Sequence, residues 1–73
     1  MTKYIIPIFD NDAYQIWNEV INASSLNSAR EKIINKILTD YEIEEDFDDW
    51  IEFTERMYYF NLVIGEPTDI ETI

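Results

Sequence analysis

The chain has 73 residues and carries 16 Asp and Glu against 5 Lys and Arg, a formal charge of −11, with 47% hydrophobic and 15% aromatic residues. That length allows one small domain over residues 1–73 with a core of marginal stability, and the apolar content is too high for a disordered acidic tail. With no Cys and no His, disulfide frameworks, Cys/His zinc sites, thiol nucleophiles and imidazole-dependent triads are excluded, and a body this negative repels nucleic-acid phosphate.

Lys3 to Phe9 is rich in Ile and aromatics and ends at Asp10-Asn11-Asp12, a turn-forming cluster, so it reads as a strand. Pro7 cannot donate to a ladder, which points to an edge position. The segment is also too short and too interrupted for a secretory signal, and no stretch approaches the roughly 20 apolar residues of a membrane span. A cytoplasmic location is expected, with no membrane partner.

Residues 14–23 fit two patterns. Alternation places Tyr14, Ile16 and Val20 on one face of a strand, with Trp17, Ile21 and Ala23 on the other. Helical spacing would group Ala13, Ile16, Trp17, Val20 and Ile21, with Asp12 as cap. The β-branched and aromatic content and the short turn favour a hairpin.

Ser24 and Ser25 can cap the next element. Leu26, Ala29, Ile33, Ile34, Ile37, Leu38 and Tyr41 form one apolar stripe of a helix over about 25–40. An acidic connection over 41–46 follows. A second helix is expected to start near Asp46, with Phe47, Trp50, Ile51, Thr54, Met57 and Tyr58 as its buried stripe. The opposite face would carry Glu45, Asp48, Asp49, Glu52 and Glu55. Tyr59 to Ile64, closed by Gly65, is the most apolar run and reads as a central strand, with Tyr59 itself exposed. Pro67 opens a last turn in which Thr68 and Glu71 have capping-box spacing, leaving Ile70 and Ile73 to pack back. The expected fold class is α+β, in the order ββααβ with a short helical tail. An N-terminal hairpin and one C-terminal strand make a small sheet covered on one face by two helices.

The charge is unevenly distributed. Residues 1–39 hold four acids and four bases, whereas residues 40–73 hold twelve acids and a single base, Arg56. Between Asp40 and Glu55, nine of sixteen residues are acidic with no cation among them. Two like charges about 6 Å apart in water repel by roughly 0.7 kcal/mol, so several neighbours cost on the order of 2 kcal/mol after screening. The total stability of such a domain is only about 4–11 kcal/mol. Stability alone favours interspersed Lys, which this segment lacks.

Acidic pairs can perform acid–base catalysis, but glycosidic cleavage needs two carboxyls across a cleft, one of them with a raised pKa. Neighbouring acids on a solvated face offer neither. Calcium loops of the EF-hand type need a Gly at the sixth position. Frames starting at Asp40 and Asp46 place Glu45 and Ile51 there. Phosphate-cradling loops fail because Gly65 is the only Gly. No enzyme activity, cofactor or metal is expected.

An acidic surface without internal partners is suited to meet a basic one, and basic surfaces of that size belong to proteins that bind nucleic acid. Carboxylates along a helix recur every 5–6 Å, comparable to successive phosphates. In size, charge, absence of catalytic residues and the 40–55 segment, the chain resembles small phage and mobile-element inhibitors that act as DNA mimics, such as anti-CRISPR and anti-restriction proteins. The resemblance implies an acidic protein-binding inhibitor of a nuclease or CRISPR effector in a bacterial host, with no direct nucleic-acid contact. The expected partner-binding residues are Asp40, Glu42, Glu44, Glu45, Asp46, Asp48, Asp49, Glu52 and Glu55. Two other readings stand beside it: an immunity- or antitoxin-type binder of a basic toxin, and an adaptor module whose acidic surface is incidental. The chain would act as a monomer or as a homodimer that covers excess aromatic surface.

Overall fold

In the computed structural model, which describes residues 1–70, β1 (Thr2–Asp10) and β2 (Gln15–Ala23) pair antiparallel along their whole length. The alternation in 14–23 is thus that of a strand. Trp17, Ile21 and Ala23 turn toward the core, while Ile16 and Val20 face away. The hairpin turn is held by Asp10, whose Oδ1 accepts the backbone N–H groups of Asp12 at 3.0 Å and Ala13 at 3.1 Å. Short acidic side chains at turns favour this local bonding.

Helix α1 (Leu26–Asp40) follows, with the Ser25 hydroxyl accepting from the N–H of Ser28. The middle of its stripe packs as its spacing predicts: Ala29, Ile33, Ile34 and Ile37 are buried and Leu38 leans on the core, whereas Leu26 and Tyr41 at its two ends are exposed. Helix α2 (Trp50–Tyr58) begins later than expected, capped by Asp49 instead of Asp46. The delay changes its phase. Phe53 and Met57 are buried, whereas Ile51 and Tyr58, expected inside, are 65% and 69% exposed. Phe47 reaches the core from the preceding irregular segment, so it does not set the helical face. Trp50, Phe53 and Met57, at i, i+3 and i+7, set it instead.

The C-terminal strands are β3 (Leu62–Ile64) and β4 (Thr68–Asp69), completing an antiparallel α+β fold of order ββααββ. Thr68 and Asp69, expected to open a helical turn, pair with β1. Glu71 and Ile73 lie outside the described residues. The sheet order β2-β1-β3, with β4 also on β1, exchanges two expected positions. The Pro-containing β1 is central, and the apolar β3 lies at an edge.

Pro7 is tolerated in the central strand because its neighbour is bulged there. The β3 register pairs Ile8 with Ile64, whereas the β4 register pairs Ile5 with Thr68, so the partner chain gains one residue across Pro7. The Pro7 carbonyl accepts the Gly65 N–H at 2.8 Å. Its missing N–H faces the segment where the partner chain departs. Proline within sheets is confined to edges and bulges, and here the bulge applies. Beneath this sheet, Ile6, Ile8, Ile33, Ile37, Phe53, Met57 and Leu62 form the fully buried core.

Candidate functional site

The acidic segment leaves α1 through a Schellman turn. The N–H of Glu42 donates to the Thr39 carbonyl and that of Ile43 to the Leu38 carbonyl. Glu42 adopts φ 54°, the left-handed conformation that this turn requires and that Gly or Asn fills most readily. Ile43 and Leu38 both pack against the core, supplying the hydrophobic contact that accompanies such a turn.

From Glu42 to Asp48, exposure alternates. Ile43 and Phe47 lean on the core, and Phe47 meets Phe53 edge-on with ring centroids 5.6 Å apart. Glu45, between them in the same phase, is half-buried and accepts from Arg56 Nε at 3.1 Å. Glu42, Glu44, Asp46 and Asp48 are all exposed on the other side. Two-residue steps of backbone span at most about 7 Å, so these four carboxylates form a closely spaced row.

The expected helical acidic face is therefore corrected. Only Glu52 and Glu55 project from α2, both exposed. Asp49 is spent on the helix start, its Oδ1 accepting the Ile51 N–H at 2.9 Å. Asp40 lies at the end of α1 and pairs with Lys36 at 3.0 Å. Donating that hydrogen bond to Asp40, with the charges of Glu19 and Asp40 adding, raises the Lys36 pKa above its ordinary value. Of the nine expected partner-binding residues, Asp40 and Glu45 are thus neutralised internally. Glu42, Glu44, Asp46, Asp48, Glu52 and Glu55 are not.

Two further acids come from the electrically neutral half. Asp10 and Asp12 of the hairpin turn share a hollow with Glu42, Glu44 and Glu45. Asp10 is nearly buried, and its Oδ2 accepts the Tyr41 hydroxyl at 3.0 Å, fastening the start of the acidic segment to the hairpin. Burial of that hydroxyl, then the hydrogen bond and the Asp10 charge, push the Tyr41 pKa up to about 12. Asp12 Oδ1 accepts from Asn61 Nδ2 at 2.9 Å. Sequence spacing offers no sign of this grouping, because 31 residues separate Asp10 from Tyr41.

The cations near the helices are engaged. Arg56 sits over the Tyr59 and Phe60 rings at 6.0 and 5.6 Å while holding Glu45. Arg30 pairs with Glu66 and lies over Trp50, and Lys32 Nζ donates to the Asn22 carbonyl. Among the described residues, no group of three or more Asp or Glu is arranged to hold a metal ion. No helix among them is long and apolar enough to cross a membrane. No family model, curated protein or solved structure matches this chain.

Proposed function

We propose that this chain is an acidic protein-binding inhibitor, a DNA mimic that occupies the nucleic-acid-binding groove of a basic protein such as a nuclease or CRISPR effector. It acts without catalysis or cofactor, in the cytoplasm of a bacterial host. One observation carries the reading: Glu42, Glu44, Asp46 and Asp48 face outward in alternate positions, while the only cation in the same half of the sequence, Arg56, is paired with Glu45. The row is anchored at both ends, by the Tyr41–Asp10 bond and by the Asp49 cap of α2.

A row fixed in this way meets a cationic groove with its charges already in place, and the field steers encounter. Its spacing is comparable to that of successive phosphates on a strand. The strain at Glu42 accords with this use, because a carboxylate stands where Gly would be easier to accommodate.

The test is capture of a basic partner from a bacterial lysate at low salt, followed by elution in a salt gradient. Changing Glu42, Glu44, Asp46 and Asp48 together to Lys is expected to weaken binding at least a hundredfold, about 3 kcal/mol, with the circular dichroism spectrum retained. A DNA or RNA oligonucleotide is expected to displace the wild-type chain. Undiminished binding by the reversed variant overturns the proposal. Capture of a partner that nucleic acid does not displace favours the immunity-type reading instead.

A further inference from the structure

We infer that a second copy of this chain packs against the open side of the sheet, giving a two-fold dimer whose acidic sides point outward. The helices cover only one face of the sheet. The register places Ile5 opposite Val20, and Phe9 opposite both Ile16 and Val63, with Pro7 between the two rows. These six side chains therefore share the uncovered face, because directly paired residues point to the same side. Ile16 is 76% exposed, Val20 55% and Val63 48%. This largely apolar patch crosses three strands, with Asn18 opposite Pro7 as the polar side chain near its centre, and a patch of this extent is large for a monomer.

Charge decides which occupant fits. Among the strand residues of this face, Lys3 is the only charged one, and it sits at one end opposite Asn22. The acidic segment lies on the far side, since Ile43 and Phe47 hold it against the core beneath the sheet. A basic partner gains nothing from a neutral apolar surface. A second copy brings a face of the same chemistry and keeps its own acids away.

Packed sheets lie about 10 Å apart, and the molecule is 18 Å through its shortest dimension. The acidic sides then stand back to back, beyond the screening length of about 8 Å at physiological salt. Any other approach of two −11 bodies opposes like charges.

The area is adequate. The two nine-residue strands are about 30 Å long, and the short β3 and β4 add an interrupted third row beside β1, for a width of about 15 Å. Two such faces bury roughly 800–1,000 Å² together, the size of weak, exchanging interfaces. A dimer in micromolar exchange is expected, with the two sheets aligned within about 30°.

Sedimentation equilibrium of the wild-type chain, from low micromolar to near-millimolar concentration, is expected to show a reversible monomer–dimer equilibrium that tightens as salt rises. The double variant Ile16→Lys with Val20→Lys is expected to weaken dimerisation at least a hundredfold with an unchanged circular dichroism spectrum. Val63→Lys, on the opposite side of β1, is expected to weaken it tenfold or more, and it serves if the double variant misfolds. These Lys substitutions reduce the overall net charge, so a loss comes from charge placed within the interface itself and not from long-range repulsion.

A wild-type chain that stays monomeric at near-millimolar concentration overturns the inference. So does a dimer that survives both sets of Lys substitutions. Dimerisation that tightens with salt is separable from partner capture, which weakens with it, so either proposal can fail without the other.

Discussion

Single residues hold two of the decisive contacts in this molecule. At Gly65 an added Cβ would lie 2.5 Å from Pro7 Cγ and 3.1 Å from its Cδ, against a ring that cannot rotate away. Gly65→Ala is expected to cost about 2 kcal/mol, a fall in melting temperature of roughly 10 °C. Pro7→Ala in the same chain should recover most of that loss, and a double-mutant cycle showing no coupling contradicts the close approach. Gly65 looked like a strand terminator in the sequence; its role as the residue that lets a proline sit in the central strand depends on what lies opposite.

Tyr41 is the other contact. A tyrosine whose folded pKa is raised keeps its proton where the unfolded chain, near pH 10, has lost it. Its contribution to stability is therefore present below about pH 10 and is lost as pH rises toward about 12. Ultraviolet titration is expected to show a late tyrosinate phase near pH 12, absent in Tyr41→Phe.

At the level of elements, the two helix ends that frame the acidic segment behave in opposite ways. Asp49 accepts the Ile51 N–H as the cap of α2, so Asp49→Ala is expected to cost about 1 kcal/mol. Its neighbour Asp48 makes no such bond, and Asp48→Ala should leave melting unchanged or raise it slightly. Glu42 occupies the left-handed position of the α1 terminus, so Glu42→Gly is expected to stabilise by about 1 kcal/mol. If the acidic row is the interface, the same change weakens partner capture, which thermal melts and binding titrations would report together.

The first helix was legible because Ser25 and seven apolar positions agree on one phase. The second was misplaced because Asp46 and Asp49 are equally good caps and Phe47 can satisfy either reading. Only packing against Phe53 distinguishes them.

For the molecule as a whole, the governing feature is charge kept on one side. Four of the five cations are drawn into ion pairs or a carbonyl contact on the helical side, yet six of the nine acids between Asp40 and Glu55 remain exposed without a cap or an ion pair. Raising sodium chloride from about 0.05 to about 0.5 M is expected to increase the melting temperature by about 5 °C, because screening relieves their repulsion. A melting temperature that falls with salt would show that attraction dominates instead. The same screening weakens capture of a cationic partner, so stability and binding should move in opposite directions.

Composition and spacing by themselves determined the α+β class, the hairpin, the first helix and the concentration of acid between Asp40 and Glu55. Those features follow from local periodicity and from charges that can be counted along the chain. Tertiary structure alone decided that β1 is central, that Asp10 clasps Tyr41, that Glu45 meets Arg56, and that no described element covers the second face of the sheet. Each of these depends on contacts between elements that no local pattern in the chain announces. Which carboxylates reach solvent is settled by which neighbours had to be buried beside them.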